Sequence, residues 1–61
     1  MKFKDFMNMY DNWNGKTVVN NDDLTLRVKG LTLDIVEDNC WSDMEVVSFG
    51  FYDNELCVRV R

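Results

Sequence analysis

In the last part of the chain, from Met44 to Arg61, apolar residues occupy every second position in two runs. Two apolar series carry this alternation: Val47, Phe49 and Phe51, followed by Leu56, Val58 and Val60. Successive side chains of a strand point to opposite faces, so each series predicts a strand with one apolar face. Asp53 and Asn54 lie between the two series, and both residue types tolerate the positive φ of a tight turn. We therefore predict a β-hairpin whose apolar face forms the floor of the core.

The start of the chain has a helical pattern instead. Its apolar residues recur at spacings of three and four: Phe3, Phe6, Met7, Tyr10 and Trp13. This spacing predicts one amphipathic helix of about three turns. Asn14 and Gly15 are expected to end the helix, because Gly tolerates the left-handed conformation found at many helix ends. A helix of this length is only marginally stable alone, so its apolar face must pack against a sheet.

Between the helix and the hairpin the pattern again favours short strands. Residues 17–19 predict a β-branched strand, and the polar residues 20–23 a turn or loop. Two alternating series follow: Leu24, Leu26 and Val28, then Leu31, Leu33 and Ile35. Gly30 between them indicates either a compact hairpin turn or a kink within one long strand. Residues 37–43 read as a polar loop that contains Trp41.

Together these elements predict a single α+β domain over residues 1–61, with one N-terminal amphipathic helix packed on a four- or five-stranded antiparallel sheet. Antiparallel pairing is expected because parallel crossovers usually need a dozen or more residues, and the connections are shorter. The predicted core comprises the apolar positions of the patterns: Phe3, Phe6, Met7, Tyr10, Val19, Leu24, Leu26, Val28, Leu33, Ile35, Val47, Phe49, Phe51, Leu56, Val58 and Val60.

Charge narrows the class of partner. The formal net charge of −4 argues against direct binding to nucleic acid or to anionic lipid, both of which attract basic surfaces. Between residues 31 and 58 there are seven acids and no Lys or Arg. We call these seven the acidic block: Asp34, Glu37, Asp38, Asp43, Glu45, Asp53 and Glu55. Like charges on one surface reinforce each other, so the block favours a protein partner with a basic surface.

The predicted partner-binding residues are the acidic block and two aromatic anchors, Trp41 and Tyr52, since aromatic residues are enriched at binding hot spots. Trp41 lies outside any periodic pattern and is either a lid over the core or a contact residue. The competing interpretation is that the acidic block is only a solvated face that prevents the sheet edges from pairing.

The sequence offers little for catalysis or for binding metals and cofactors. It contains no histidine, no phosphate-binding glycine loop and no recognisable activated nucleophile, so we predict neither an enzyme nor a cofactor. Cys40 and Cys57 have no CxxC spacing, which argues against a zinc site, and we expect free thiols. No apolar stretch approaches the roughly 20 residues of a membrane span and no signal peptide is evident, so a cytoplasmic location is expected.

The short length, the opening Met-Lys-Phe-Lys-Asp-Phe, the turns rich in Asn and Asp and the acidic balance resemble small accessory proteins of phages and mobile elements in low-GC bacteria. Anti-CRISPR and DNA-mimic proteins are of that type. The resemblance implies an inhibitor that occupies the basic nucleic-acid channel of a host defence nuclease in the host cytosol. The alternative is a self-associating module, a homodimer in which the second sheet face or an edge strand pairs with a second copy.

Overall fold

One four-stranded sheet organises this α+β chain. The structure, a computed structural model, describes residues 1–10, 13–23, 25 and 27–61. The elements in chain order are helix α1 (Phe3–Met9), strand β1 (Lys16–Asn21), strand β2 (Arg27–Leu31), helix α2 (Thr32–Glu37), a 3-10 turn (Asn39–Trp41), strand β3 (Val46–Tyr52) and strand β4 (Glu55–Val60).

The sheet is mixed, with strand order β2-β1-β4-β3. Strand β1 pairs antiparallel with β2 and parallel with β4, and β3 pairs antiparallel with β4. The prediction of a purely antiparallel sheet is therefore wrong. The prediction considered only strands adjacent in sequence. Strands β1 and β4 are separated by β2, α2 and β3, and this long segment is the crossover connection that a parallel pair needs.

The predicted hairpin is present as β3 and β4. Asp53 and Asn54 have φ values of 53° and 64°, as the favoured two-residue hairpin turn requires. The three apolar residues of β4 that were assigned to the core are buried: Leu56, Val58 and Val60. Both the turn and the inward face of β4 are thus as predicted.

A β-bulge near the start of β3 changes which residue faces the core. The register shifts between Val46 and Ser48, so that Val46 pairs with Val60 and packs against the core. Val47 is exposed, and its assignment to the core is wrong. The extra residue of a bulge reverses the alternation locally, which a strict period of two does not anticipate.

Helix α1 has seven residues and is shorter than predicted. Its first N–H groups, on Phe3 and Lys4, donate to the carbonyls of Met44 and Ser42 at 2.8 and 3.1 Å, in place of a side-chain cap. At the other end, the Met7 carbonyl accepts the Tyr10 N–H and the half-buried Trp13 indole N–H, at 3.2 and 3.3 Å. Trp13 was predicted to lie within the helix, but it follows the last helical residue. Residues 11 and 12, predicted as helical, lie outside the described residues.

Residues 31–36 were predicted as a strand, but most of them form α2. Thr32 and Ile35 are buried three positions apart, whereas Leu33 is exposed and its assignment to the core is wrong. Gly30 lies inside β2 opposite Thr17, so it is neither a turn nor a kink. Leu24 and Leu26, also predicted to be core residues, lie outside the described residues.

The core is one cluster to which α1, α2, the 3-10 turn and the sheet contribute. Its buried members are Phe3, Phe6, Met7, Val19, Ile35, Trp41, Leu56, Val58 and Val60. Tyr10 and Val28, two further predicted core residues, are partly buried against it. Among the described residues, no helix is long and apolar enough to cross a membrane.

Candidate functional site

An apolar groove runs between α1 and β3 on the core side of the sheet. It has a volume of about 200 Å³ and is lined by Phe6, Met9, Tyr10, Phe49, Phe51 and Leu56. Three of these side chains remain mostly exposed: Met9 at 63%, Phe49 at 61% and Phe51 at 59%. Monomeric proteins rarely leave several large apolar side chains exposed side by side, so the groove is a candidate interaction surface.

Phe49 and Phe51 were predicted to be buried, and only their side of the sheet was predicted correctly. They pair with Val58 and Leu56, which places them on the core side. Phe6 approaches Phe49 with ring centroids 4.8 Å apart, and Tyr10 approaches Phe51 at 6.1 Å. Because β3 is an edge strand, these contacts cover one side of each ring and leave the outer side open.

The backbone of β3 is open along the same edge. Tyr52 and Glu55 flank the two-residue turn and pair directly, and residues of an antiparallel ladder alternate between exchanging hydrogen bonds and directing them outward. Phe51 and Phe49 therefore direct their backbone N–H and C=O groups away from β4. The residues with the exposed rings are also those with the outward backbone groups.

Among the described residues, the contacts that cover this edge lie at its start. The Val46 N–H donates to the Met1 carbonyl at 2.8 Å, and Lys2 forms an isolated antiparallel bridge with Glu45. Beyond that point β3 carries no charged residue, since its sequence is Val-Val-Ser-Phe-Gly-Phe-Tyr. Charges and prolines commonly protect edge strands from pairing, and this strand has neither.

The structure divides the acidic block into paired and unpaired carboxylates. Asp43 lies 3.7 Å from the Lys2 ammonium and 3.6 Å from that of Lys4, and Glu55 lies 3.0 Å from that of Lys29. Glu45 accepts a 2.9 Å hydrogen bond from the Met1 ammonium, and this bond holds the pKa of Glu45 below its ordinary value. Local cations thus neutralise three of the seven predicted acids.

The other carboxylates of the block are exposed and form no ion pair with any described residue. Asp34 and Glu37 lie on α2, Asp38 follows it, and Asp53 lies in the hairpin turn. Asp38 also accepts a 3.2 Å hydrogen bond from the Cys40 backbone N–H. The acids of α2 are adjacent to β1 and β2, whereas the groove lies along β3 at the other edge of the sheet. The block is therefore not one continuous face.

The two predicted aromatic anchors have different environments. Trp41 is only 4% exposed and belongs to the core cluster, so it is the lid over the core rather than a contact residue. Its indole N–H is buried without a hydrogen-bond partner among the described residues. Tyr52 is 68% exposed and remains available to a partner.

The described residues also bear on the chemistry of metals and thiols. Cys40 and Cys57 are free cysteines, as expected. Desolvation and the nearby Asp38 raise the pKa of Cys40, which disfavours its reactive thiolate. Within residues 1–10, 13–23, 25 and 27–61, no three His, Cys, Asp or Glu side chains group as metal ligands would.

Searches of protein-family models, curated proteins and solved structures gave no match to this chain.

The groove was not predicted as a site, because its aromatic residues were all assigned to the core. A seven-residue helix is too short to cover a four-stranded sheet, and that length was the missing information. No signal in the sequence pattern distinguishes a buried Phe on an inner strand from an exposed Phe on an edge strand, since both alternate identically.

Proposed function

We propose that this chain is a small self-associating interaction module whose β3 edge pairs with β3 of a second copy. The observation that carries the proposal is the coincidence, at Phe49 and Phe51, of exposed rings and outward backbone groups on an uncharged edge strand. A second copy has the same exposed rings and outward backbone groups, and no charged residue on either β3 strand would repel the other.

A two-fold axis midway between the Gly50 residues of the two copies gives the register. It places Phe49 of one copy opposite Phe51 of the other, and each such pair exchanges two backbone hydrogen bonds. The axis is perpendicular to the sheet, so both copies keep their helices on the same side. The four phenylalanine rings then meet above the joined strands and cover the outer sides of both grooves, which satisfies the isologous rule of two-fold interfaces.

The exposed area predicts weak association. With roughly 200 Å² for each large side chain, Met9, Phe49 and Phe51 together expose about 350 Å² per copy. Even doubled, this area is below the roughly 1,200 Å² at which stable interfaces begin, so the expected dissociation constant is about micromolar. The groove is also smaller than the roughly 300 Å³ of ordinary small-molecule pockets, which favours side chains over a metabolite as its occupant.

Sedimentation across a concentration series tests the proposal with one disruptive and one control variant. Phe51→Lys places a charge at the paired edge and is expected to leave only monomer. Leu33→Lys replaces an exposed apolar residue on α2, outside the groove, and is expected to dimerise like the parent chain. A parent chain that stays monomeric at high micromolar concentration contradicts the proposal, as does equal loss of the dimer in both variants.

A second candidate function uses the acids of α2. The exposed, unpaired Asp34, Glu37 and Asp38 support the chain as an acidic inhibitor that docks on the basic nucleic-acid surface of a nuclease or other DNA-handling protein. This surface is separate from the groove, so a dimer would present two such surfaces.

Capture from a bacterial host extract, followed by DNA-cleavage assays on any captured nuclease, tests this second function. Neutralising the α2 acids with Asp34→Asn and Glu37→Gln is expected to weaken inhibition and its dependence on salt. The control pair Asp5→Asn and Asp53→Asn changes net charge equally, and Asn tolerates the positive φ of residue 53. Inhibition that does not respond to salt, or that both pairs weaken equally, contradicts docking through α2.

A further inference from the structure

The face of the sheet opposite the core carries most of the basic side chains. We call it the open face, although Val18 near its middle is only 1% exposed. The strand registers assign it Lys16, Val18, Asn20, Arg27, Lys29, Leu31, Ser48, Gly50, Tyr52, Glu55, Cys57 and Arg59. Among the described residues, it holds four of the seven Lys and Arg but only one of the ten Asp and Glu. Four bases less one acid give the paired strand positions of this face a charge of +3, and the adjoining pair Glu45 and Arg61, which exchange backbone hydrogen bonds, adds no net charge.

The bases of the open face differ from those elsewhere in their ion pairs. Among the described residues, every basic group outside this face pairs with a carboxylate: the Met1 ammonium with Glu45, Lys2 and Lys4 with Asp43, and Arg61 with Asp22. On the open face only Lys29 is paired, with Glu55. Lys16, Arg27 and Arg59 are exposed and form no ion pair with a described residue. The positive charge that remains is therefore concentrated on one surface.

Two arginines are positioned side by side on this surface. Asn20 pairs with Arg27 on one side and with Arg59 on the other. Neighbouring strands are about 4.8 Å apart, so the two guanidinium groups originate roughly 10 Å apart with a hydrogen-bonding amide between them. Arg59 and Asn20 also line a surface pocket of about 180 Å³. A guanidinium group matches carboxylate and phosphate bidentately, so the two arginines can each hold one anionic group of the same extended chain.

An aromatic ring lies near these basic side chains. Tyr52 is exposed and also lines the pocket, and its ring lies against Gly50, where an added Cβ would come within 3.2 Å of a ring carbon. The glycine thus makes room for the ring on the open face. An exposed aromatic ring beside basic side chains is the arrangement on which proteins stack the bases of single strands.

The acids of α2 reduce the positive electrostatic potential of the open face only weakly. Helix α2 contributes Ile35 to the core cluster, so its acids lie on the other side of the sheet. The smallest dimension of the molecule is 17 Å, whereas the Debye length at physiological ionic strength is about 8 Å. The net charge of −4 argued against direct binding to nucleic acid, but net charge is an average over faces of opposite sign.

We propose that the open face binds single-stranded nucleic acid, with phosphates at Lys16, Arg27 and Arg59 and a base stacked on Tyr52. The basic side chains of this site lie on β1, β2 and β4, and Tyr52 lies on β3, so the proposal goes beyond self-association while sharing the strand β3 with it. An acidic polypeptide could also pair with these basic side chains, but it has no bases to stack on the exposed aromatic ring.

Fluorescence anisotropy with a labelled oligothymidylate of about ten nucleotides tests the proposal at low salt. Removing two phosphate contacts with Arg27→Gln and Arg59→Gln should reduce the magnitude of the salt-dependence slope by about 1.4. Tyr52→Ser should weaken binding about tenfold with the slope unchanged. The control pair Lys2→Gln and Lys4→Gln removes equal charge from outside the open face and should leave both affinity and slope near those of the parent chain.

Three results would overturn this assignment. The first is the absence of binding by the folded parent chain at low salt. The second is equal loss in the arginine and lysine pairs, which would indicate diffuse attraction. The third is full affinity in Tyr52→Ser with equal competition by polyglutamate, which would indicate an acidic polypeptide instead. Circular dichroism of each variant establishes that it is folded.

Discussion

At the residue scale, the electrostatic environment of Asp23 is determined mainly by one neighbouring residue, Thr25. Its carboxylate accepts the hydroxyl of Thr25 at 2.6 Å and the Thr25 backbone N–H at 3.1 Å. These hydrogen bonds favour the ionised form and hold the pKa of Asp23 below its ordinary value. Since the pKa is lower in the folded chain than in the unfolded one, Asp23 contributes stability above its ordinary pKa, and this contribution disappears as the pH falls through the folded value.

Changing Thr25 should move this pKa without altering the aspartate. In Thr25→Val the hydroxyl donor is absent, so the pKa of Asp23 should rise toward its ordinary value of about 3.9. Thr25→Ser retains the donor and should keep the pKa low. An NMR titration of the Asp23 carboxyl carbon measures both, and an unchanged pKa in Thr25→Val would mean that the hydroxyl is not the main cause.

Trp41 marks the limit of residue-scale prediction. Its burial depends on how the 3-10 turn positions a single side chain over the core, and one residue in a polar stretch has no periodicity to detect. The contact of Trp13 with α1 could be predicted because Trp13 continues the apolar spacing of that helix, even though the helix itself ends at Met9.

At the element scale, α2 shows why a correct apolar pattern can predict the wrong structure. Its apolar residues alternate, but the two buried positions, Thr32 and Ile35, are three apart, and the first of them is polar. The Thr32 hydroxyl lies 2.7 Å from that of Thr17 in β1, and both side chains are fully buried. The position of α2 thus depends on a tertiary polar contact that hydrophobic periodicity does not encode.

The threonine pair predicts a specific coupling between β1 and α2. Thr32→Val alone leaves the Thr17 hydroxyl buried without this partner and should cost about 1–3 kcal/mol of unfolding free energy. Replacing both with Val removes both hydroxyls at nearly constant shape. The double variant should therefore lose less unfolding free energy than the two single variants lose together. Urea unfolding of the four chains measures the coupling, and strictly additive losses would contradict it.

At the scale of the whole molecule, the chain presents three chemically different surfaces: the apolar groove beside β3, the acids of α2 and the open face. Strand periods and the hairpin turn were predictable because they follow from local sequence. The strand order was not, and it determines which apolar residues lie at an edge and which charges share a face. The exposure of Phe49 and the grouping of Arg27 with Arg59 both follow from that order.

Dimerisation should join the surfaces of two copies in a defined way. A two-fold axis perpendicular to the sheet extends the four strands to eight and makes the two open faces continuous. The acids of both α2 helices then lie at the far ends of the extended sheet, away from the joined strands. This arrangement follows from the β3 pairing, so the account depends chiefly on that edge.

Amide hydrogen exchange at Phe49 and Phe51 tests the pairing most directly. These N–H groups point away from β4, so exchange should be fast in dilute monomer and should slow as concentration rises through the micromolar range. The amides of β4, an inner strand, serve as the internal control and should remain protected throughout. Fast exchange of Phe49 and Phe51 at every concentration, with β4 still protected, would contradict the account.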